Sequence, residues 1–226
     1  MGNRAGKHRF TIVATAALLA ASSTAQAGPH VAIVHGDVLC RTTNRTLTRD
    51  GKNSEAVLSP DGHTVAFIHQ VKPSPEADFP EEATNDLWLG DCATGRIHRL
   101  AAPASDTDMF ASMGSPVFSL DGRLIYVSLF PGGDYLVVHQ VDVTTGRHSF
   151  VLDAQLEGVI RTGPYRGDLL ATQHTDLTDR DGQHYGGYPY YIFRPDGTTV
   201  MRIPGSENWR GQQLKRWLTT RHWQVW

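Results

Sequence analysis

The sequence lacks an excess of basic charge, a long apolar run and a known catalytic motif. It has 226 residues, with 21 Lys and Arg against 23 Asp and Glu and a formal net charge of −2. Such a balance provides no overall positive field for nucleic acid. No apolar run reaches the roughly 18 residues that a membrane-spanning helix needs. Neither G-x-S-x-G, H-E-x-x-H nor a phosphate-binding glycine loop occurs, so an enzyme is not the favoured hypothesis.

The composition is that of a folded domain. Hydrophobic residues make up 40% of the chain and charged residues only 19%, which is too apolar for a mostly disordered protein. The length suits one compact domain. We therefore expect a single domain rather than an extended or multidomain chain.

The first 27 residues have the pattern of a signal peptide. Arg4, Lys7 and Arg9 are followed by an apolar stretch that ends at Ala21, and the small residues Ala25 and Ala27 mark a cleavage site. We expect residues 1–27 to be removed and residues 28–226 to form the domain. The sequence thus predicts a periplasmic or secreted protein with no transmembrane segment after cleavage.

Two cysteines, Cys40 and Cys92, would enter an oxidising compartment, where a disulfide can persist. Whether they pair depends on geometry, which the sequence leaves open. They are too few for a disulfide scaffold, and their separation matches no zinc-ligand spacing.

An internal repeat is the most informative feature of the sequence. The pattern D-x-x-T-G-R begins at Asp91 and again at Asp142, which are 51 residues apart. The turn glycines are Gly95 and Gly146, and the same step leads back to Asn44 and on to Gly197. Glycine and asparagine are the residues that accept a left-handed backbone in hairpin turns. Strand-like runs flank each position, so a hairpin is repeated four times.

A second hairpin precedes the first in most repeats. Residues 59–62 are S-P-D-G and residues 119–122 are S-L-D-G, each between strand-like runs. Proline presets φ, aspartate caps the turn and glycine takes the positive-φ position. Residues 163–167 replace this turn in the third repeat. Each repeat is therefore predicted to be a four-stranded antiparallel unit.

Four-stranded units that recur about every 50 residues are typical of a β-propeller. The runs S-P-D-G-H-T-V-A-F from Ser59 and S-L-D-G-R-L-I-Y from Ser119 resemble TolB-type propeller repeats. The same motif occurs in the propeller of dipeptidyl peptidase IV-like enzymes. The resemblance implies an all-β propeller and fixes no activity, because the motif is a turn rather than a site.

The length suits four blades. The three complete blades are predicted at Ser54–Pro103, Gly114–Ala154 and Leu156–Pro204. Val31 to Thr48 would supply the outer strands of a fourth blade, and Leu214 to Trp226 its inner strand. Strands from both termini would then close the ring and remove its exposed edges. The alternative is an open or truncated arc, because four blades is the lower end of the range for propellers.

Four of the five tryptophans lie near the C-terminus, namely Trp209, Trp217, Trp223 and Trp226. One interpretation is that they close the core of the last blade. The other is an aromatic partner-binding surface through Trp217 and Trp223, beside the basic residues Arg210, Lys215, Arg216 and Arg221.

Two acidic loops are candidates for a binding site. Each follows the second strand of a blade, so we expect both on one face of the propeller. The first-blade loop contains Glu76, Asp78, Glu81 and Glu82, and the third-blade loop contains Asp176, Asp179, Asp181 and His184. His69 and His174 lie where these loops begin.

Oxygen-rich loops can bind calcium. Asp176, Asp179 and Asp181 partly resemble a calcium loop, but Leu177 occupies the first ligand position and Tyr188 stands where a closing glutamate would be. A solvated acidic hairpin is the favoured interpretation, with Ca²⁺ or another divalent ion as the alternative. We expect no other cofactor. His98, His139 and His148 are assigned to packing or polar surface, because no pair has helical metal-ligand spacing.

The favoured function is a non-catalytic, monomeric scaffold of the cell envelope. It would bind an envelope protein, or a polysaccharide or peptide ligand, through its loop face. The candidate binding residues are Asp78, Glu81, Glu82, His174, Asp176, Asp179, Asp181, Trp217 and Trp223. The alternative is a small metal-dependent lyase or hydrolase that uses the loops near His69 and His174. A relative of a peptidase's propeller domain is a third hypothesis, which the signal peptide and the aromatic C-terminus disfavour.

Overall fold

The computed structural model describes residues 30–72, 83–131, 136–178, 181–209 and 211–225. It begins with a three-stranded sheet, which we call the N-terminal sheet. Its strands in spatial order are β1 (Val31–Val34), β2 (Asp37–Cys40) and β3 (Arg45–Thr46).

Three four-stranded antiparallel sheets follow, and they confirm the predicted blades. The first blade is β4 (Asn53–Leu58), β5 (Thr64–Lys72), β6 (Thr84–Asp91) and β7 (Ile97–Ala101). The second is β8 (Gly114–Phe118), β9 (Leu124–Leu129), β10 (Val137–Asp142) and β11 (His148–Leu152). The third is β12 (Gln155–Val159), β13 (Leu169–Thr172), β16 (Tyr190–Phe193) and β17 (Thr199–Arg202), with the hairpin β14 (Thr175–Thr178) and β15 (His184–Gly187) inserted after β13. A short 3₁₀ helix, Met109–Ser112, connects the first two blades.

The first hairpin of a blade is held by side chains of its own turn. The Ser59 hydroxyl donates to the Asp61 carboxylate at 2.5 Å and accepts from the backbone N–H of Thr64 at 2.9 Å. Ser119 makes the same two contacts in the second blade, with Asp121 at 2.7 Å and the N–H of Leu124 at 3.0 Å. The turn thus satisfies its own polar groups, which is why the motif specifies a tight hairpin.

The four positions of the 51-residue step all adopt positive φ, as predicted. Their φ angles are 51° at Asn44, 78° at Gly95, 69° at Gly146 and 85° at Gly197. Two of them also touch the preceding blade. A Cβ atom at Gly146 would lie 2.1 Å from the carbonyl oxygen of Leu100, and one at Gly197 would lie 2.2 Å from that of Val151. Glycine is therefore required here both for the turn and for blade stacking.

The core consists of layers between successive sheets. One cluster joins the N-terminal sheet to the first blade, and others join the first blade to the second and the second to the third. The first strands of neighbouring blades contact one another. Each complete blade therefore buries both faces of its sheet, in the face-to-face stacking of a propeller.

The prediction that Leu214 to Trp226 return to the N-terminal sheet is wrong. Within the described residues this segment forms the helix α1 (Gly211–Thr220), and Val225 then bridges Ile160 of the third blade. The backbone N–H of Arg161 donates to the carbonyl of Gln224 at 2.7 Å. Within the same residues no strand joins the N-terminal sheet to the third blade, and the sheets form an open arc.

The helix replaces a strand because the outer face of the third sheet needs an apolar cover. Ile160, Leu170 and Ile192 on that face are fully buried beneath Leu214 and the neighbouring aromatic rings. Leu214, Trp217 and Leu218 are spaced i, i+3 and i+4, which places them on one side of a helix. The C-terminal segment thus caps this end of the arc, as a polar-faced terminal element does in repeat proteins.

Cys40 and Cys92 form a disulfide, which the sequence had left open. It joins β2 of the N-terminal sheet to the turn after β6 of the first blade. Both cysteines are buried in the cluster between these sheets.

Among the described residues, no helix is both long and apolar enough to cross a membrane.

Candidate ligand-binding cavity

The two ends of the sheets present different surfaces. The tight turns between first and second strands and between third and fourth strands lie at one end, which we call the turn face. The segments between second and third strands and the linkers between blades lie at the other end, which we call the loop face. This topology places the ends of β5 and β13 on the same face.

A cavity of about 440 Å³ opens on the loop face between the second and third blades. Its walls come from the end of β13, the linker between β11 and β12, and the segments that precede β10 and β16. The lining residues are Leu136, Asp153, Ala154, Gln155, Thr172, Gln173, His174 and Tyr188. The volume falls within the roughly 300–1,000 Å³ of small-molecule sites.

An aromatic corner forms one side of this cavity. The rings of His174 and Tyr188 meet edge to face with centroids 5.3 Å apart, and the Tyr188 residue is 49% exposed. The inserted hairpin can approach His174 closely because it has glycine at position 186. A Cβ atom at Gly186 would lie 2.7 Å from Nε2 of His174.

Hydrogen bonds fix the position of Gln173 in the polar part of the cavity lining. The side-chain amide of Gln173 donates to the backbone carbonyl of Asp153 at 3.0 Å, which ties the third blade to the linker from the second. The backbone N–H of Gln173 donates to the carbonyl of Pro189 at 3.3 Å. Gln155, Asp153 and His174 are exposed, so their polar atoms are available to a ligand.

Some of the predicted site residues lie at this face, and others cannot be placed. His174 lines the cavity, and Asp176 is exposed on the hairpin opposite Gly186. Asp181 is exposed at the tip of the hairpin, next to Gly182 with φ 81°. The first-blade acids Asp78, Glu81 and Glu82, together with Asp179, lie outside the described residues.

The structure gives His69 polar and aromatic partners in and next to the first blade. Its Nδ1 lies 3.1 Å from the amide oxygen of Asn53 and 3.6 Å from a carboxylate oxygen of Asp50, and its ring packs 5.5 Å from that of Trp88. Within the described ranges, no group of three or more His, Cys, Asp or Glu side chains is placed to hold a metal.

Trp217 and Trp223 belong to the C-terminal segment that covers the third blade. Their rings meet edge to face at 5.1 Å, and Trp223 also packs 5.2 Å from Tyr165. The guanidinium of Arg221 lies 4.1 Å from the Trp217 ring centroid, a cation–π contact. In this position the two rings pack against the buried cluster of the third blade, and a partner-binding role for them stays a prediction. Arg210 and Trp226 are outside the described residues.

A second cavity, of about 450 Å³, lies on the turn face between the first two blades. Its lining includes Asp61 and Asp121, and hydrogen bonding to the neighbouring serine hydroxyls holds the pKa of each carboxyl below its usual value. These carboxylates are already used to build the turns, whereas the polar groups of the loop-face cavity are largely exposed. The loop-face cavity is therefore the better candidate for a binding site.

Sequence reasoning identified His174 but missed the rest of this lining. Gln155 and Gln173 carry no motif, and Tyr188 was considered only as a missing calcium ligand. The available signal was the repeat itself, since the ends of the second strands and the linkers meet at one face.

Comparisons with known proteins support the fold. No model of a protein family matches the chain, and no curated protein matches it. The chain is similar to the solved structure of the tricorn protease, with 13% identity, 79% of this chain and 16% of that chain covered, and a TM-score of 0.52. It is also similar to dipeptidyl peptidase 4 from Porphyromonas gingivalis, with 12% identity, 77% and 31% coverage and a TM-score of 0.51.

TolB from Acinetobacter baumannii is a further likeness, with 18% identity, 75% of this chain and 38% of that chain covered, and a TM-score of 0.45. The chain thus spans less than two fifths of each of these proteins. At such identities a likeness concerns the fold alone, and the likeness to the tricorn protease and to dipeptidyl peptidase 4 agrees with the stacked sheets of a β-propeller.

Proposed function

We propose that this protein is an exported, non-catalytic β-propeller of the cell envelope that binds an envelope polysaccharide through the loop-face cavity. The signal-peptide pattern of residues 1–27 supports export. The observation that carries the choice of ligand is the composition of the cavity. An exposed aromatic ring lies beside two carboxamides, a histidine and one carboxylate.

This lining suits sugars because a sugar ring has both polar and apolar surfaces. Tyr188 offers an exposed ring on which the C–H face of a sugar can pack, while Gln155 and Asp153 offer hydrogen bonds to hydroxyl groups. The cavity is also open, as a site for one segment of a longer polymer must be. Among the described residues the lining contains one carboxylate, whereas most glycoside hydrolases use a pair. Binding rather than hydrolysis is the function that we propose.

The test is co-sedimentation of the purified protein with insoluble peptidoglycan, a common envelope polysaccharide. We expect the wild-type protein to sediment and Tyr188→Ala to bind at least tenfold more weakly, because the variant removes the aromatic surface. Tyr185→Ala is a matched control, since Tyr185 is a 41% exposed tyrosine on the same hairpin and does not line the cavity. Absence of wild-type binding, or equal binding by the wild type and Tyr188→Ala, would contradict the proposal.

A further inference from the structure

Two histidines meet on the outer hairpin of the second blade. His139 lies on β10 and His148 on β11, and the register pairs them with Phe150 and Val141, so the two are diagonal neighbours. Their Nδ1 atoms are 3.3 Å apart. This pair is separate from the loop-face cavity and has no part in the function proposed above.

Aromatic packing fixes both imidazole rings. Phe110 of the 3₁₀ helix, only 1% exposed, stacks on His148 with centroids 3.8 Å apart and planes 9° apart. Phe150 meets His139 edge to face at 6.0 Å. The rings therefore lose little further freedom when both nitrogens bind one ion, which favours binding.

The fold itself does not require histidine at these positions. In the first blade, which has the same strand register around its outer turn, the residues 51 positions earlier are Trp88 and Ile97. An aromatic ring and an aliphatic side chain thus satisfy the same sites in the neighbouring blade. The histidine pair is a feature of the second blade that packing alone leaves unexplained.

The separation of the two nitrogens fits a tetrahedral metal ion. Zinc binds histidine nitrogen at roughly 2.0–2.1 Å, and the tetrahedral angle then places two ligand nitrogens about 3.3–3.4 Å apart. The distance between the Nδ1 atoms agrees with this value. In the absence of a metal, the Nδ1–H of one ring can donate to Nδ1 of the other; when a metal binds, this proton moves to Nε2 of its own ring by tautomerisation.

The local charges also suit a cation. Asp108 interacts electrostatically with both histidines, and its carboxylate is fixed by the backbone N–H groups of Phe110 and Ala104 at 3.0 and 2.9 Å.

We propose that His139 and His148 form a transition-metal site that binds Zn²⁺ through both Nδ1 atoms, with water completing the coordination. Sequence reasoning assigned these residues to packing or polar surface, because it looked for metal ligands at helical spacing. Their signal is the hairpin: residues nine apart around a tight turn lie on the same side of two paired strands. Bound metal would cross-link the two outer strands of the blade.

The proposal is tested by calorimetric titration of the tag-free protein with Zn²⁺ at pH 7. We expect one equivalent to bind. His139→Phe and His148→Phe should each raise the Kd at least tenfold, because one of two protein ligands is lost. Phenylalanine keeps the ring packing against Phe150 or Phe110, so these variants should still fold. His98→Ala is the matched control, since His98 is an exposed histidine on the outer strand of the first blade.

Nitrogen NMR of the imidazoles provides a second measurement, which identifies the coordinating nitrogen atoms rather than the affinity. We expect Zn²⁺ to shift Nδ1 of both His139 and His148. Absence of wild-type binding, an undiminished affinity in both phenylalanine variants, or coordination through Nε2 would each overturn the proposal.

Discussion

The glycine at position 146 provides a direct test of blade stacking, because it can be compared with Gly122 of the same blade. The two glycines have nearly equal φ angles, 69° and 70°. They differ in their surroundings. A Cβ atom at Gly146 would lie 2.1 Å from the carbonyl oxygen of Leu100, whereas the nearest atom to one at Gly122 would be a side-chain carbon of Pro60 at 3.7 Å.

Alanine at either position has to adopt a left-handed backbone, which costs about 1–2 kcal/mol. Only at Gly146 does the added methyl group also overlap the backbone of the preceding blade, and overpacking of this kind costs about 1–3 kcal/mol more. We therefore expect Gly122→Ala to lower the free energy of unfolding by about 1–2 kcal/mol and Gly146→Ala to lower it by about 2–5 kcal/mol.

Urea unfolding of both variants, followed by circular dichroism, measures this difference. If the turn after β10 stacks against β7 as described, Gly146→Ala must be the less stable protein. Equal losses of stability would refute the reasoning, because they would mean that the backbone conformation alone sets the cost and that the blades do not touch at this point.

Three further variants test the C-terminal helix, the disulfide and the half-buried Glu157. Trp217→Ala should lower the free energy of unfolding by about 2–3 kcal/mol in the same assay. This is less than the loss expected for a fully buried tryptophan, because the Trp217 ring is partly exposed. An unchanged unfolding midpoint would mean that α1 does not cover the third sheet. Replacing both Cys40 and Cys92 by serine should lower the free energy of unfolding by about 2–4 kcal/mol, since the disulfide closes a loop with a sequence separation of 52. A change below about 1 kcal/mol would argue against the disulfide. Burial raises the pKa of Glu157, so ionisation of this carboxyl opposes folding above its unfolded-state pKa. Glu157→Gln should therefore be more stable than the wild type at pH 7, and this advantage should shrink towards pH 4. A stability difference that does not change with pH would exclude this cause.

The strands were predictable because the signals that define them are local. A serine, an aspartate and a glycine in the first turn satisfy one another's hydrogen bonds, and the 51-residue step puts Asn44, Gly95, Gly146 and Gly197 at left-handed positions. These choices do not depend on distant parts of the chain. The repeat therefore predicts both the hairpins and their grouping into blades.

The C-terminal segment was not predictable in this way, because its structure depends on what it covers. Leu214, Trp217 and Leu218 have helical spacing over less than three turns. A strand that closed the ring would also have buried the tryptophans, so the sequence favoured neither structure. What decides between the two is the exposed face of the third sheet around Ile160 and Leu170, which the repeat does not reveal. Packing of the C-terminal segment against this face buries apolar side chains of both the segment and the third sheet.

The candidate sites were harder to predict because they arise between repeats. Gln173 and Tyr188 meet Asp153 only when two blades stack, and His139 meets His148 only across a hairpin of known register. None of these residues belongs to a motif. Residues that share a face of the fold can be inferred from the repeat, but a cavity depends on side chains that the repeat does not specify.

The measurement that tests the proposed function most directly is backbone amide NMR of the protein during titration with soluble peptidoglycan fragments. We expect the largest chemical-shift changes at Gln155, Gln173, His174 and Tyr188, around the cavity on the loop face. Changes centred on Asp61 and Asp121 at the turn face, or no changes at saturating fragment concentration, would contradict the assignment of this cavity as a polysaccharide-binding site.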